Sequence, residues 1–104
     1  NDLVASTALA ASGAHIVLFT TGRGTPTGNA IAPVLKVTAN KRTYTHMEDN
    51  MDVDLSGIID GTKTIEESGK MLLDEIVQVC NGKLTKAEAY GFSDIAVDHV
   101  CRFV

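Results

Sequence analysis

The residues able to do chemistry are concentrated between positions 20 and 28, "TTGRGTPTG", where four threonines, three glycines, one arginine and one proline share nine positions. Glycines let backbone N–H groups turn toward a ligand with no side chain in the way, and successive N–H groups form a concave nest for an anion. Gly22, Gly24 and Gly28 supply that freedom, and Thr20, Thr21, Thr25 and Thr27 add hydroxyl donors. Arg23 contributes a planar fork of donors that matches a carboxylate or phosphate bidentately. The stretch reads as a loop built for an oxyanion. It is not a Walker loop, because no G-K-[ST] follows, and Pro26 stands where the dinucleotide fingerprint would begin a helix. The competing reading is a tight connection in which glycine and proline only turn the chain and Arg23 is solvated.

Other polar residues carry weaker signals. Lys36 interrupts the apolar run "PVLKVTAN" and is either a ligand contact or, the commoner outcome, a side chain that snorkels to solvent at a sheet edge. Glu48, Asp49, Asp52 and Asp54 form an acidic cluster without the spacing of a calcium loop, and they read as a solvated surface. His15, His46 and His99 are far apart and have no ligand spacing, so each reads as a satisfied or exposed imidazole, with His15 beside a strand. Cys80 and Cys101 lack a C-x-x-C pattern and read as reduced, buried thiols, which points to the cytoplasm.

The elements that must position this loop follow from periodicity and punctuation. Residues 2 to 12 are rich in helix formers and end at Gly13, a left-handed cap. "AHIVLFTT" lacks strict alternation, so a central strand buried on both faces is predicted, with the loop leaving its carboxyl end. That is where open α/β sheets place their ligands. Residues 21 to 33 are predicted irregular, and residues 33 to 40 form a second strand. Between 41 and 63 the signals mix: a short helix near Tyr44, an extended "MDVDL" and turns at Gly57 and Gly61. Thr64 with Glu67, and Thr85 with Glu88, have the spacing of capping boxes that open helices. In the first of these, Ile65, Gly69, Leu72, Leu73, Ile76 and Cys80 draw one apolar stripe, and Asn81-Gly82 stops it. Gly91 closes the second helix, and "DIAVDHVCRFV" is predicted as a final strand. Alternating strands and helices give an α/β fold: a small open, mostly parallel sheet flanked by helices in a Rossmann-like three-layer arrangement.

Composition sets the outer bounds. The 104 residues are expected to form a single domain over 1–104, and 44% apolar and 21% charged residues fit a folded globular chain. A net charge of -4 and no Lys/Arg cluster exclude a nucleic-acid face. The longest apolar run, Ala14 to Phe19, is interrupted by His15 and is far shorter than the roughly 20 residues of a membrane span. The chain opens on Asn1-Asp2 with helix-forming sequence already under way, so it is expected to be a fragment of a longer protein.

"VLFTTGRGTPTG", "PVLKVTAN", "MDVDLSGIIDG" and "NGKLTKAEAYGF", in that order, resemble the C-terminal region of the altronate/galactarate dehydratase family, which includes the large subunit of sulfolactate sulfo-lyase. The resemblance covers nearly the whole chain. It implies a cytoplasmic lyase that removes water, or sulfite in the sulfo-lyase branch, from a small polyhydroxy acid, with a divalent metal of the Fe2+ type. The metal ligands and catalytic base are then expected elsewhere in the intact enzyme. Carried onto this chain, the matching positions are Thr20, Thr21, Gly22, Arg23, Gly24, Thr25, Pro26 and Gly28, then Pro33, Lys36 and Asn40. Arg23 and the loop amides are expected to hold a substrate carboxylate, with Lys36 adding charge nearby. The expected partners are a small anionic sugar or hydroxy acid and the other domains or subunits of the same enzyme. Apolar faces left bare in isolation would favour a homo-oligomer.

Overall fold

The computed structural model describes residues 1–97. Its elements in chain order are α1 (Asp2–Ala11), β1 (Val17–Thr20), β2 (Val34–Thr38), α2 (Lys41–His46), β3 (Val53–Asp54), α3 (Gly57–Asp60), α4 (Ile65–Cys80) and α5 (Lys86–Ala89). The three strands form one open parallel sheet in the order β1-β2-β3, so the fold is α/β as expected.

The central strand is β2 and not β1. Val17 pairs with Val34 and Thr20 with Val37, while Val37 and Thr38 pair with Val53 and Asp54. Both edges of β2 are thus occupied, and all five of its residues are buried. β1 pairs on one side among the described residues and leaves Leu18 46% exposed. The two apolar runs look alike in sequence; their places in the sheet are decided by β3, a partner only two residues long.

Alternation along β2 gives each face its own role. Leu35 and Val37 point to one side and make the core with Val53 of β3 and Val79 of α4, flanked by Met71, Leu72 and Ile76. Val34, Lys36 and Thr38 point to the other side and are equally buried. Parallel neighbours need a crossover of about a dozen residues or more, usually a helix. Here Thr21 to Pro33, thirteen residues without a helix, make it.

The helix punctuation behaves as read. Gly13, Gly61, Gly82 and Gly91 all have positive φ just beyond helix ends. The Thr85–Glu88 capping box is complete. At Thr64 only half of the box forms: its hydroxyl accepts from Glu67 N–H, but the Glu67 carboxylate turns to that hydroxyl and not to the backbone.

The apolar stripe of α4 is rotated from the expected one. The inward face runs through Ser68, Leu72, Ile76 and Val79, while Ile65 and Leu73 are 74% and 58% exposed. The helix carries apolar residues on two adjoining faces, and the sheet covers one. Cys80 falls on the outer one and is an exposed free thiol, not a buried one. Asp94 to Val97 hold no regular structure, and the rest of the expected last strand, with His99 and Cys101, lies outside the described residues.

Two loop glycines are required by packing. A Cβ on Gly28 would lie 2.5 Å from the Cβ of Ala87 in α5, and Gly24 has φ +85° with the Met47 sulfur against it. Gly22 has neither constraint. Gly28→Ala is therefore expected to cost about 1–3 kcal/mol in chemical denaturation, whereas Gly22→Ala changes stability by less than about 0.5 kcal/mol. Equal effects would contradict this division.

Candidate functional site

The carboxyl ends of β1 and β2 open into a cleft of ≈ 410 Å³ lined by Thr20, Thr21, Gly22, Val37, Ala39, Asn40, Leu55 and Ile59. One wall is polar and comes from the start of the loop and Asn40; the other is apolar and comes from the strand ends and α3. A second hollow shares Ala39, Asn40 and Ile59 with it and carries the crevice on to Lys41, Ser56 and Asp60. Asp60 is exposed, and hydrogen bonds from the Thr62 hydroxyl and backbone hold its carboxyl below the usual range. A slightly larger hollow of ≈ 470 Å³ runs along α4 from Lys63 to Gln78, but its lining of alternating acids and lysines marks a solvated groove remote from the loop.

Hydrogen bonds fix the polar wall. The Gly22 carbonyl accepts from the Thr43 hydroxyl at 2.6 Å and from Asn40 Nδ2 at 3.1 Å. Asn40 Oδ1 meanwhile caps α2 through Arg42 and Thr43 N–H, and Thr38 Oγ1 accepts from Asn40 N–H. Thr21 N–H continues the ladder to Val37, and its hydroxyl accepts from Gly24 N–H at 3.0 Å. Thr25 and Thr27 bond to each other and are buried. The start of the loop is thus tied to β2 and α2 before any ligand arrives.

The residues singled out in the sequence are therefore only partly brought together. Thr20, Thr21, Gly22 and Asn40 line the cleft. Arg23 follows directly, exposed and without a hydrogen bond or ion pair among the described residues. Gly24 and Thr25 turn inward, Gly24 against Thr43 and Met47. His15 and His46 are exposed and separate.

Lys36 does not snorkel. It lies in the middle of β2 on the face away from α4, 0% exposed, with no hydrogen-bond partner for Nζ among the described residues. Burial holds its pKa below the usual lysine value, the Asp52 carboxylate works in the opposite direction, and the Lys86 ammonium adds to the lowering.

Asp52 itself is not part of a solvated acidic surface. Its carboxylate accepts from Lys36 N–H and Lys86 N–H, each at 2.8 Å. It and Thr43 are the site residues that motif reading missed. Asp52 was visible as the polar step between Met51 and Val53, both buried, and Thr43 gave no signal beyond its place in a short helix. Among the described residues no three His, Cys, Asp or Glu side chains converge to hold a metal ion, so an iron site does not fit them.

An open parallel sheet with a polar-lipped crevice at its carboxyl ends is an α/β architecture, and the crevice stands where such sheets place their ligands. The chain belongs to the D-galactarate/altronate dehydratase C-terminal family, whose model matches residues 1–102. It is 40% identical over 91 residues to the (2R)-sulfolactate sulfo-lyase subunit beta of Chromohalobacter salexigens, 88% of this chain and 23% of that protein. It is 38% identical over 97 residues to the altronate dehydratase of Escherichia coli, 93% of this chain and 19% of that protein. It is 40% identical over 83 residues to the galactarate dehydratase (L-threo-forming) of the same organism, 80% and 16%. The chain thus spans about a fifth of the length of the curated relatives it matches.

The buried lysine has a measurable cost. Its folded pKa lies below 10.5, so the unfolded chain binds a proton that the native state has released, and stability rises with pH through that window up to about 10.5. Lys36→Met removes both the cost and the slope: the variant is expected to be about 1–3 kcal/mol more stable at neutral pH and to lack the alkaline rise in denaturation curves. A less stable variant, or one with an unchanged slope, would contradict this account of Lys36.

Proposed function

We propose that this chain is the C-terminal, oxyanion-holding part of a cytoplasmic lyase that dehydrates a sugar acid of the altronate or galactarate type. The observation that carries the reading is the pinned carbonyl of Gly22. No backbone conformation or packing contact requires glycine there, yet Asn40 and Thr43 hold its peptide rigidly at the lip of the cleft. A bare, fixed peptide between Thr21 and Arg23 is suited to a ligand that approaches the backbone. The names of the relatives supply the ligand class, a small acid with hydroxyls.

In such a dehydration the C–H bond beside the carboxylate and the C–O bond on the next carbon both break. Water leaves, and the product is an enol that tautomerises to a 2-keto acid. Negative charge gathers on the carboxylate as the proton departs, and donors preorganised at those oxygens lower the barrier. In this reading Thr20, Thr21 and the Gly22 and Arg23 peptides orient the carboxylate, and the Arg23 side chain bridges it bidentately from the rim. Asn40 keeps the lip in place, and Lys36 contributes positive potential from within the sheet when protonated. A divalent metal of the Fe2+ type would polarise the substrate's oxygens. Its ligands are not assigned to these residues, and the base and acid belong to the remainder of the enzyme.

The test is Arg23→Lys in the full-length enzyme. An ammonium keeps the charge and loses the fork, so kcat/KM on the preferred sugar acid is expected to fall about 10- to 100-fold, the equivalent of one charged hydrogen bond. Activity near wild type would remove Arg23 from the site and leave the module as a non-catalytic anion-binding or interface domain.

A further inference from the structure

One carboxylate joins three parts of the molecule that the sequence keeps far apart. Asp52 lies just before β3, and its N–H donates to the Lys36 carbonyl at 2.9 Å. In the return direction the donor Lys36 N–H is met by Asp52 Oδ2, a side chain standing in for a strand carbonyl. The other oxygen, Oδ1, accepts from the N–H of Lys86, the first residue of α5. The next residue, Ala87, is the one against which Gly28 of the loop packs without room for a Cβ.

We propose that Asp52 is a positioning residue of the anion site: it fixes the Lys36 segment of β2 and the start of α5 together, and through Ala87 sets where the Gly28 end of the loop closes. This deepens the oxyanion-loop reading of the site and rests on it only for the identity of the ligand.

Chemistry restricts the position to a carboxylate. Two backbone N–H groups approach two different oxygens, and an asparagine would offer one acceptor and turn its own NH₂ donors toward the other N–H. The charge acts on the same lysine. Of the titratable groups that act on Lys36, Asp52 favours the ammonium, while Lys86 on α5 disfavours it, as does burial itself. Lys86 holds its own ammonium away from the sheet, bonded to the Glu48 carbonyl and over the Tyr44 ring.

The test is made on this chain by NMR, following the ε-methylene titration of Lys36 and the amides of Thr27, Gly28 and Asn29. Asp52→Asn is expected to lower the Lys36 midpoint, because the carboxylate that favours the ammonium is gone. Lys86→Pro deletes the donor together with the ammonium, at a first helical position where proline is favoured and after Thr85, whose ψ of 163° suits a residue before proline. Lys86→Ala keeps the donor and lacks the same ammonium. The three loop amides are expected to shift in the proline variant and stay near wild type in the alanine variant. An unmoved Lys36 midpoint in Asp52→Asn, or equal loop shifts in the two Lys86 variants, would overturn the proposal. If Asp52→Asn does not fold, the Lys86 pair decides alone. Neither readout uses a ligand, so failure to bind a sugar acid would count against the proposed function and not against this role of Asp52.

Discussion

The structure depends on completing the hydrogen bonding of β2, a parallel strand buried on both faces. A buried peptide group without a partner is costly, so each N–H and C=O of this strand needs an acceptor or donor. β1 supplies one edge in full register from Val34 to Val37. β3 supplies the other edge only at Val37 and Thr38. At Lys36 the carbonyl still accepts from Asp52 N–H, but the Lys36 N–H has no strand carbonyl on that side, and the carboxylate of Asp52 takes its place. The short third strand, the position of α5 and the burial of Lys36 are linked through that substitution.

The loop between β1 and β2 meets two demands at once. As a crossover between parallel neighbours it must be long, and without a helix it must fold back over the sheet using turns and side-chain bonds. Gly24, Gly28 and the Thr25–Thr27 pair serve that purpose, since each is buried or packed against α2 or α5. Thr20, Thr21, Gly22 and Arg23 are left over from it. They stand at the carboxyl end of the sheet, where strand ends diverge and ligands enter α/β folds. On the proposed reading, the concentration of threonine and glycine in nine positions is the sum of a folding signal and a binding signal.

Much of the fold was legible because it is written in local punctuation. Helix ends at Gly13, Asn81-Gly82 and Gly91, the Thr85–Glu88 box and the strand over 34–38 each depend on residues within one or two turns. What was not legible depends on partners distant in sequence. The order of the sheet turns on a two-residue strand, and the working face of α4 on which of two apolar stripes β2 and β3 cover. The burial of Lys36 depends on what covers that face of the sheet, which no window around residue 36 contains. Asp52 was visible as an acid among acids, and only the fold shows that its two oxygens answer to residues 36 and 86.

The claim on which the functional reading stands is that the first half of the loop is a preformed oxyanion site. The most direct measurement is an NMR titration of this chain with galactarate, altronate and sulfolactate, each with and without ferrous iron under anaerobic conditions. Saturable shifts are expected at the amides of Thr20 to Thr25 and of Asn40, the same with and without metal and ranked by acid, while the buried Thr27 to Asn29 segment moves less. Unmoved amides at millimolar concentrations of all three acids, or shifts spread evenly over the surface, would contradict a preformed site and return the loop to the role of a crossover.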